Sequence, residues 1–569
     1  MKYSELVSLY DALSKTTKML EKTRLLAEFL PRLKERTEWI YLLRGRVLPH
    51  YDVREFGIST QLTIKAIAKS SGLTVEKVAG MFNKIGDLGD VAAELAEKKR
   101  QHALFHAELT VDKVFTQLQK IVDIDGKGSV DKKLDIIVEL LTHARADEAC
   151  YLIRTVLNDL RVGVADALLL DALALAFLDN EPRLKEKLEE AYDLSNDFAL
   201  VFELCQKGER GLAHVRIKPG KPINVMLPVK VTDLEEAFRI CGKPAAIEHK
   251  YDGFRMVISR DKDEIKLFTR RLENVTAQFP DVVACVKEHV KGSSFILDSE
   301  VVGYDSVKKK YMPFESISQR IRRKYDIDAL IKKLPVEINV FDIVYYEGES
   351  WLDKPFFERR ALLEKIVRAV AWKIKPSRQF VSGDEKKVEE FYKEALKLGE
   401  EGIMIKKIDA PYRAGRRVGY MAKLKPQVAD LDVVIVGAEY GTGKRAGGLT
   451  SFIVACRNGA VGEFLEIGKV SSGLKEKAEE GTTYTELNEL LQPLVLSTKG
   501  NTVRVRPKVV VSLTYQNIQH SPSYSSGFAL RFPRITHYRP DRSTKDIATL
   551  EDIKKEVLRG QRLRKRGVG

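Results

Sequence analysis

The tetrapeptide Pro219-Gly220-Lys221-Pro222 separates two stretches of this chain whose apolar residues repeat with different periods. Two prolines around a glycine neither continue a helix nor sit inside a sheet, so the segment reads as a linker. Before it, apolar residues recur at helical spacing over residues 4–30, 134–141, 149–160 and 167–178. Thr74-Val75-Glu76-Lys77 has the form of a helix start with a carboxylate in its first turn. After the linker, residues 244–251, 256–258, 265–268, 295–302, 336–346, 401–406 and 420–425 read as strands, with helical stretches at 358–370 and 389–398. From Leu431 onward, short apolar runs at 433–436, 452–455 and 509–513 are separated by glycine-rich turns. That pattern predicts a small β-barrel, a shape often used to hold nucleic acid. Gly441-Thr442-Gly443-Lys444 lacks the spacer and the Ser/Thr of a phosphate-binding loop and reads as a hairpin turn. The predicted fold class is multidomain: all-α over 1–218, α+β over 222–427, and β-barrel over 428–569.

Charge narrows the partners. A net charge of +15 and a pI near 9.2 favour a polyanion, nucleic acid before acidic membrane surfaces. Cys150, Cys205, Cys241, Cys285 and Cys456 form no C-x-x-C pair, so neither a zinc site nor a disulfide framework is expected. The first residues carry no apolar signal core, and no run approaches the roughly 18 apolar residues of a membrane span. The expectation is a soluble, cytoplasmic monomer with no membrane partner.

Glu248-His249-Lys250-Tyr251-Asp252-Gly253-Phe254-Arg255 is the densest chemical signal. On a strand, Glu248, Lys250 and Asp252 would share one face, with Gly253 free to turn the chain. A lysine nucleophile must spend time neutral, and nearby cations or burial lower its pKa. Alone, the octapeptide favours a surface ion-pair cluster on a strand over a nucleophile. Further along come Thr269-Arg270-Arg271, Asp298-Ser299-Glu300, Phe341-Asp342, Glu401-Gly402-Ile403-Met404-Ile405-Lys406 and Lys423-Leu424-Lys425. A triphosphate needs cations and a hard metal held by carboxylates, and an adenine ring needs an apolar or aromatic slot.

In order, these segments resemble the nucleotidyltransferase motifs of ATP-dependent DNA ligases of the archaeal replicative type, which are similar to eukaryotic ligase I. Leu530-Arg531-Phe532-Pro533-Arg534 looks like the last motif of that series. The resemblance covers nearly the whole chain and implies a helical DNA-binding domain, an adenylation domain and an OB-fold domain. It implies that Lys250 takes AMP from ATP and that Glu248 reads the adenine amino group. Arg255 and Arg270 would contact the ribose and phosphate, or the 5′-phosphate of a nick. Glu300 would bond the ribose or help hold metal, and Phe341 would stack on adenine. Glu401 would be a metal-linked carboxylate, with Mg²⁺ the expected ion and Mn²⁺ an alternative. Arg417, Lys423 and Lys425 would face phosphates, and Arg531 and Arg534 would orient pyrophosphate. Asp252 would act near the nick, and Arg161 and Gly163 would touch DNA backbone. The partner implied is nicked double-stranded DNA.

Some positions depart from the family pattern. Ala165 stands where a second glycine often follows Arg161-Val162-Gly163-Val164, and residues 223–228 are a looser copy of the family's proline-rich entry segment. Gln101-His102-Ala103-Leu104-Phe105 faintly resembles a sliding-clamp-binding segment, but with one aromatic absent a plain loop-to-helix junction is the favoured reading. An mRNA capping guanylyltransferase or an RNA ligase shares the lysine chemistry, but the long helical region argues against both. An NAD-dependent ligase is disfavoured by the missing zinc-type cysteines, and an inactive DNA-binding scaffold by the intact charged set.

Overall fold

Caps written into the sequence set the helices of the first 212 residues. In the computed structural model the side chains of Ser59, Thr74, Asp87, Thr110 and Asp197 each accept a backbone N–H from the first turn of the helix they precede. These bonds satisfy donors a helix start leaves open. The structure describes all residues except 53, 99–107, 127, 214, 313, 323–325, 417, 427–430, 442–447, 460–462, 476–480 and 566–569, and leaves the side chains of 315, 318, 319, 322 and 559–565 undescribed. The predicted stretch 4–30 is two helices, Tyr3–Lys15 and Met19–Phe29, and the stretch 149–160 stops earlier, as helix Ala146–Val156. There Asn158 turns left-handed, at φ 55°, and the chain leaves the helical axis.

Contacts divide the chain into two units. The first holds Met1–Val229, Gly253–Arg378 and Lys407–Met421; the second holds Lys230–Asp252, Gln379–Lys406 and Ala422–Gly569. The α+β region therefore gives one sheet to each unit.

In the first unit, one buried apolar cluster runs through the helices from Tyr3 to Leu212. The unit's sheet is built from β3 (Phe254–Asp261), β4 (Glu264–Thr269), β5 (Ser294–Asp305), β7 (Val336–Tyr346) and β8 (Glu349–Ser350), in the order β4-β3-β5-β7-β8. β6 (Lys310–Tyr311) pairs with β5, and β9 (Ile374–Pro376) runs parallel to β7. Met256, Leu297, Val301, Ile338 and Val340 face helices Pro280–His289 and Phe356–Ile366 through Val282, Val286, Leu363 and Ile366. Alternation then puts Arg255, Glu300, Asn339 and Phe341 on the opposite face.

In the second unit, β1 (Val229–Val231), β2 (Ala245–Lys250), β10 (Gln379–Ser382), β11 (Gly402–Lys407) and β12 (Met421–Leu424) form a sheet in the order β1-β12-β11-β2-β10. Ala245, Ile247, Ile403, Ile405 and Leu424 pack on helices Leu234–Cys241 and Glu385–Lys397. That leaves Glu248, Lys250, Lys406 and Lys423 on the other face. Gly402 is required by proximity, because a Cβ there would lie 2.2 Å from the Leu424 carbonyl oxygen.

The C-terminal part of the second unit is a curved seven-stranded sheet of OB-like form. Its central strand, Leu431–Tyr440, pairs with Val510–Thr514 through its first half and with Thr502–Val505 through its second. Register shifts between Ile435 and Gly437 and between Glu439 and Tyr440 mark its bulges, which re-aim a strand and increase its twist. Residues 442–447, which include most of the predicted turn, lie outside the described residues, and the strands flanking them pair antiparallel. The last helix, Leu550–Lys565, carries most of the basic C-terminal run.

Candidate active site

Lys250 ends β2, and its ammonium lies 2.7 Å from the carboxylate of Glu401. Two residues decide that pairing. Glu401 directly precedes β11, and its N–H donates to the Lys250 carbonyl oxygen at 2.9 Å. The carboxylate two residues before Lys250 is occupied elsewhere: Glu248 pairs with Lys406 at 2.8 Å and accepts from Gln379 Nε2 at 2.7 Å. Gln379 sits opposite Glu248 in the β2–β10 register. The expectation that Glu248, Lys250 and Asp252 share one strand face is corrected here. The strand ends at Lys250, and Asp252 lies in the following turn, where its N–H donates to Glu400 Oε2 at 3.2 Å.

Glu401 is the hub of this cluster. Its carboxylate also meets Lys425, and its other oxygen accepts from Gln516 Nε2 at 3.0 Å. Burial would raise its pKa, but the charges of Lys250 and Lys425 outweigh burial and hold it at about 2. Lys425 is held below the ordinary lysine range, by burial first and by Lys250 second, with Glu401 opposing. Arg531 of the OB-like sheet region reaches Asp252 at 3.8 Å, and its guanidinium lies over the Phe532 ring at 5.1 Å. Arg534 is exposed at the start of strand Arg534–Tyr538, and Lys423 is half-buried on β12. Sequence reasoning missed Gln379, Gln516 and Glu400, whose only signal is polar character on or beside a strand.

The first unit carries the other predicted residues. Arg255 on β3 makes a two-pronged pair with Asp298, at 2.9 and 2.5 Å, and donates to the Met226 carbonyl at 2.7 Å. Its guanidinium lies 5.3 Å from the centre of the Phe341 ring. Burial alone would lower its pKa; the Asp298 charge and hydrogen bonds raise it instead. Tyr412 donates to Asp298 at 2.8 Å and accepts the Met226 N–H at 3.0 Å. Burial pushes the Tyr412 phenol well above its ordinary range. No sequence pattern marked this tyrosine. Glu300 stands opposite Arg255 on one side and Asn339 on the other. Gly253 approaches β5 so closely that a Cβ would lie 2.4 Å from the Val301 carbonyl oxygen, so its role is close packing. Arg270 is exposed just past β4.

Arg161, at φ 60°, and Gly163, at φ 68°, lie in the loop between helices Ala146–Val156 and Asp166–Phe177. The Arg161 side chain pairs with Asp87 and, at 2.8 Å, with Asp159, and Lys22 donates to the Val162 carbonyl. Asp87, Asp90 and Cys150 cluster with ligand-type atoms within 4.8 Å of one another. Their carboxylates already meet Arg154 and Arg161, so this donor set reads as an ion-pair network, and its second arginine makes it a poor cation site. Arg417 and residues 101–105 lie outside the described residues. No helix among the described residues is long and apolar enough to cross a membrane.

Comparison with known proteins assigns the chain. Residues 225–425 match the family described as ATP dependent DNA ligase domain, residues 2–174 match DNA ligase N terminus, and residues 445–542 match ATP dependent DNA ligase C terminal region. The DNA ligase of Nanoarchaeum equitans is 45% identical over 566 residues, covering 98% of this chain and 99% of that protein. The DNA ligase of Thermococcus onnurineus is 41% identical over 557 residues, covering 97% of each. A solved structure described as Pmar-Lig_PreS3 shares the fold with a TM-score of 0.55 at 16% identity, covering 94% of this chain and 99% of that one. The chain belongs to the ATP-dependent DNA ligase family and is closely related to its archaeal members.

Proposed function

We propose that Lys250 is the nucleophile of this ATP-dependent DNA ligase and that nicked duplex DNA is its substrate. The observation that carries the assignment is the Lys250–Glu401–Lys425 cluster: one ionised carboxylate shared by two ammonium groups and by Gln516. The amine of Lys250, neutral when it reacts, attacks the α-phosphorus of ATP. An N–P bond forms, the bond to the β-phosphate oxygen breaks, and pyrophosphate leaves. The AMP then passes to the 5′-phosphate at the nick, and attack by the 3′-hydroxyl releases it. Each step needs charge neutralised on phosphate oxygens more than it needs proton transfer. With its pKa near 2, Glu401 is a poor proton acceptor; its task is to orient Lys250 and Lys425.

The remaining roles follow the same reading. Glu248, fixed by Lys406 and Gln379, reads the adenine amino group, and Phe341 stacks on the base. Glu300 bonds the ribose, and Lys423, Lys425, Arg417 and Arg270 meet phosphates. Arg531 and Arg534 orient pyrophosphate. Arg255 acts on the ribose and phosphate through the position it gives Phe341. Asp252, Arg161 and Gly163 serve the nicked duplex. Mg²⁺, or Mn²⁺ in its place, suits the hard oxygens of Glu401 and Glu300 and supplies charge neutralisation to phosphate. The domain limits 1–218, 222–427 and 428–569 are supported by apolar clusters that run from Tyr3 to Leu212 and from Val433 to Val557, with two separate clusters, one from Phe254 to Ile374 and one bounded by Val231 and Leu424, between them.

The test is covalent labelling with α-labelled ATP and Mg²⁺. The wild-type chain is expected to carry label that Lys250→Ala does not. An unlabelled wild type overturns the assignment, and parallel lanes with GTP and NAD report nucleotide choice.

A further inference from the structure

The far end of the first unit's sheet holds a cluster to which the adenylation chemistry gives no work. Tyr304 is the last but one residue of β5, Tyr311 lies on β6, and Trp372 precedes β9. The Tyr304 and Trp372 rings lie 5.0 Å apart, and Tyr311 meets Trp372 edge-on at 5.7 Å. Lys309, in the hairpin between β5 and β6, sets its ammonium 5.9 Å from Tyr304 and 5.6 Å from Trp372. An aromatic face attracts a cation, so the rings hold this long side chain in one place.

The backbone is arranged to the same end. Trp372 adopts φ 62° and Lys309 φ 51°, a region bulky side chains seldom enter. The Trp372 N–H donates to Glu337 at 2.7 Å, and the same carboxylate pairs with Lys375 at 3.0 Å and accepts from Tyr311. Asp305 accepts the N–H groups of Val307 and Lys308 at 2.9 Å each, which fixes the hairpin tip. Backbone held in an unfavoured conformation by surrounding bonds is more often found at binding sites than in inert loops.

The chemistry on offer is positive and non-selective. Lys309, Lys310 and Lys373 form no ion pair with a carboxylate among the described residues, and Lys309, Lys310 and Lys373 are exposed. Hairpin residues 305–311 include no Arg, Asn or Gln to read a base edge. The rings already pack on one another and against the Lys309 ammonium. Lysine as a compact point charge suits phosphate.

We propose that the β5–β6 hairpin and Lys373 form a docking site for the phosphate backbone of duplex DNA, with the Tyr304–Trp372 pair holding Lys309 ready. The site contacts phosphates without reading sequence, and its use rests on the DNA ligase assignment above. Lys309→Ala/Lys310→Ala/Lys373→Ala is expected to bind nicked duplex about 10-fold or more weaker at low salt. The slope of log affinity against log salt should fall by about 2 to 3, as each lost phosphate contact removes roughly 0.9. Labelling by α-labelled ATP without DNA should stay at the wild-type level. The triple arginine variant, which keeps the charges, should restore both affinity and slope. A triple alanine variant that labels normally and keeps the wild-type slope overturns the docking site, as does an arginine variant as weak as the alanine one. An unlabelled wild type instead fails the ligase assignment, so the two failures are told apart.

Discussion

The two sheets that carry the nucleotide-type residues treat charge in different ways. In the first unit, arginines grip buried aspartates through two prongs: Arg255 on Asp298 and Arg359 on Asp342. Arg359 also donates to the carbonyls of Lys354 and Ala410, and its side chain is 1% exposed. In the second unit, lysines sit on glutamates one contact at a time: Lys250 and Lys425 on Glu401, Lys406 on Glu248. A guanidinium fork fixes two planes against each other, whereas an ammonium is a point charge on a flexible stem. The arginine pairs are therefore scaffolding, and the lysine pairs at Glu401, partly open to solvent, can be exchanged for contacts to a phosphate.

The sharpest way to break this contrast is to remove one partner from each kind of pair. Asp298→Ala strands the Arg255 guanidinium in the interior and leaves the Tyr412 hydroxyl without its acceptor. Breaking a buried pair this way costs about 3–5 kcal/mol. Urea unfolding of the variant should show that loss, and adenylation should decline at least as far as folding does, because Arg255 also positions Phe341. Asp298→Ala with unaltered stability would mean that the fork is not scaffolding.

Glu401→Gln should do the reverse. Lys250 and Lys425 keep side-chain exposures of 20% and 27%, so both can turn toward water when their carboxylate loses its charge. The stability loss should be about 1–2 kcal/mol, smaller than at Asp298, the lowering of the Glu401 pKa being discounted for solvent screening. Label transfer from ATP should fall by about 100-fold, the scale of losing one preorganised charged group in an active site. A variant that unfolds but, where folded, labels at the wild-type rate would erase the distinction between the sheets.

How much of this was legible in the sequence follows the same division. Alternation along a strand placed Lys250, Lys423 and Phe341 on strands, as they are, whereas Glu401 stands one residue before β11. β7 over Val336–Tyr346 was bounded as predicted, because its apolar run is bracketed by Pro335 and Gly348. What alternation cannot supply is the partner. Lys250 has carboxylates two residues away on either side, yet its contact is Glu401, brought beside it by the β2–β11 neighbourhood. Register is a property of two strands, and no periodicity within one of them carries it. Tyr412 and Gln516 were invisible for a related reason: each acts from a loop through one polar atom, with no repeat around it. Asp252 was misplaced because the strand ends at Lys250, one residue before its predicted end, and Gly253 must press against β5.

A third carboxylate sharpens the contrast, because it is half-buried in the first unit without a fork. Asp193, in helix Pro182–Ser195, accepts from the Asn224 amide at 2.9 Å, while its carbonyl accepts the Asn224 N–H. It lies so near Gly415 that a Cβ there would fall 2.1 Å from its oxygen. Burial raises its pKa to about 6, against the smaller lowering from Asn224 and Arg416. The sign follows from proton binding: the native carboxyl holds its proton more tightly than the unfolded one. Stability is therefore fullest below the ordinary carboxylate range, is lost as pH rises from about 4 to about 6, and is level above that. Asp193→Asn keeps the acceptor for Asn224 and removes the ionisation. It should stabilise the chain above pH 6 by about 1–2 kcal/mol, the full shift being discounted for solvent screening. At pH 4 the gain should vanish. Melting temperatures of the two proteins at both pH values measure this. An equal gain at both would mean that packing against Gly415, not charge, sets the cost of Asp193, and would leave the two-pronged arginine pairs with no electrostatic advantage over a single amide.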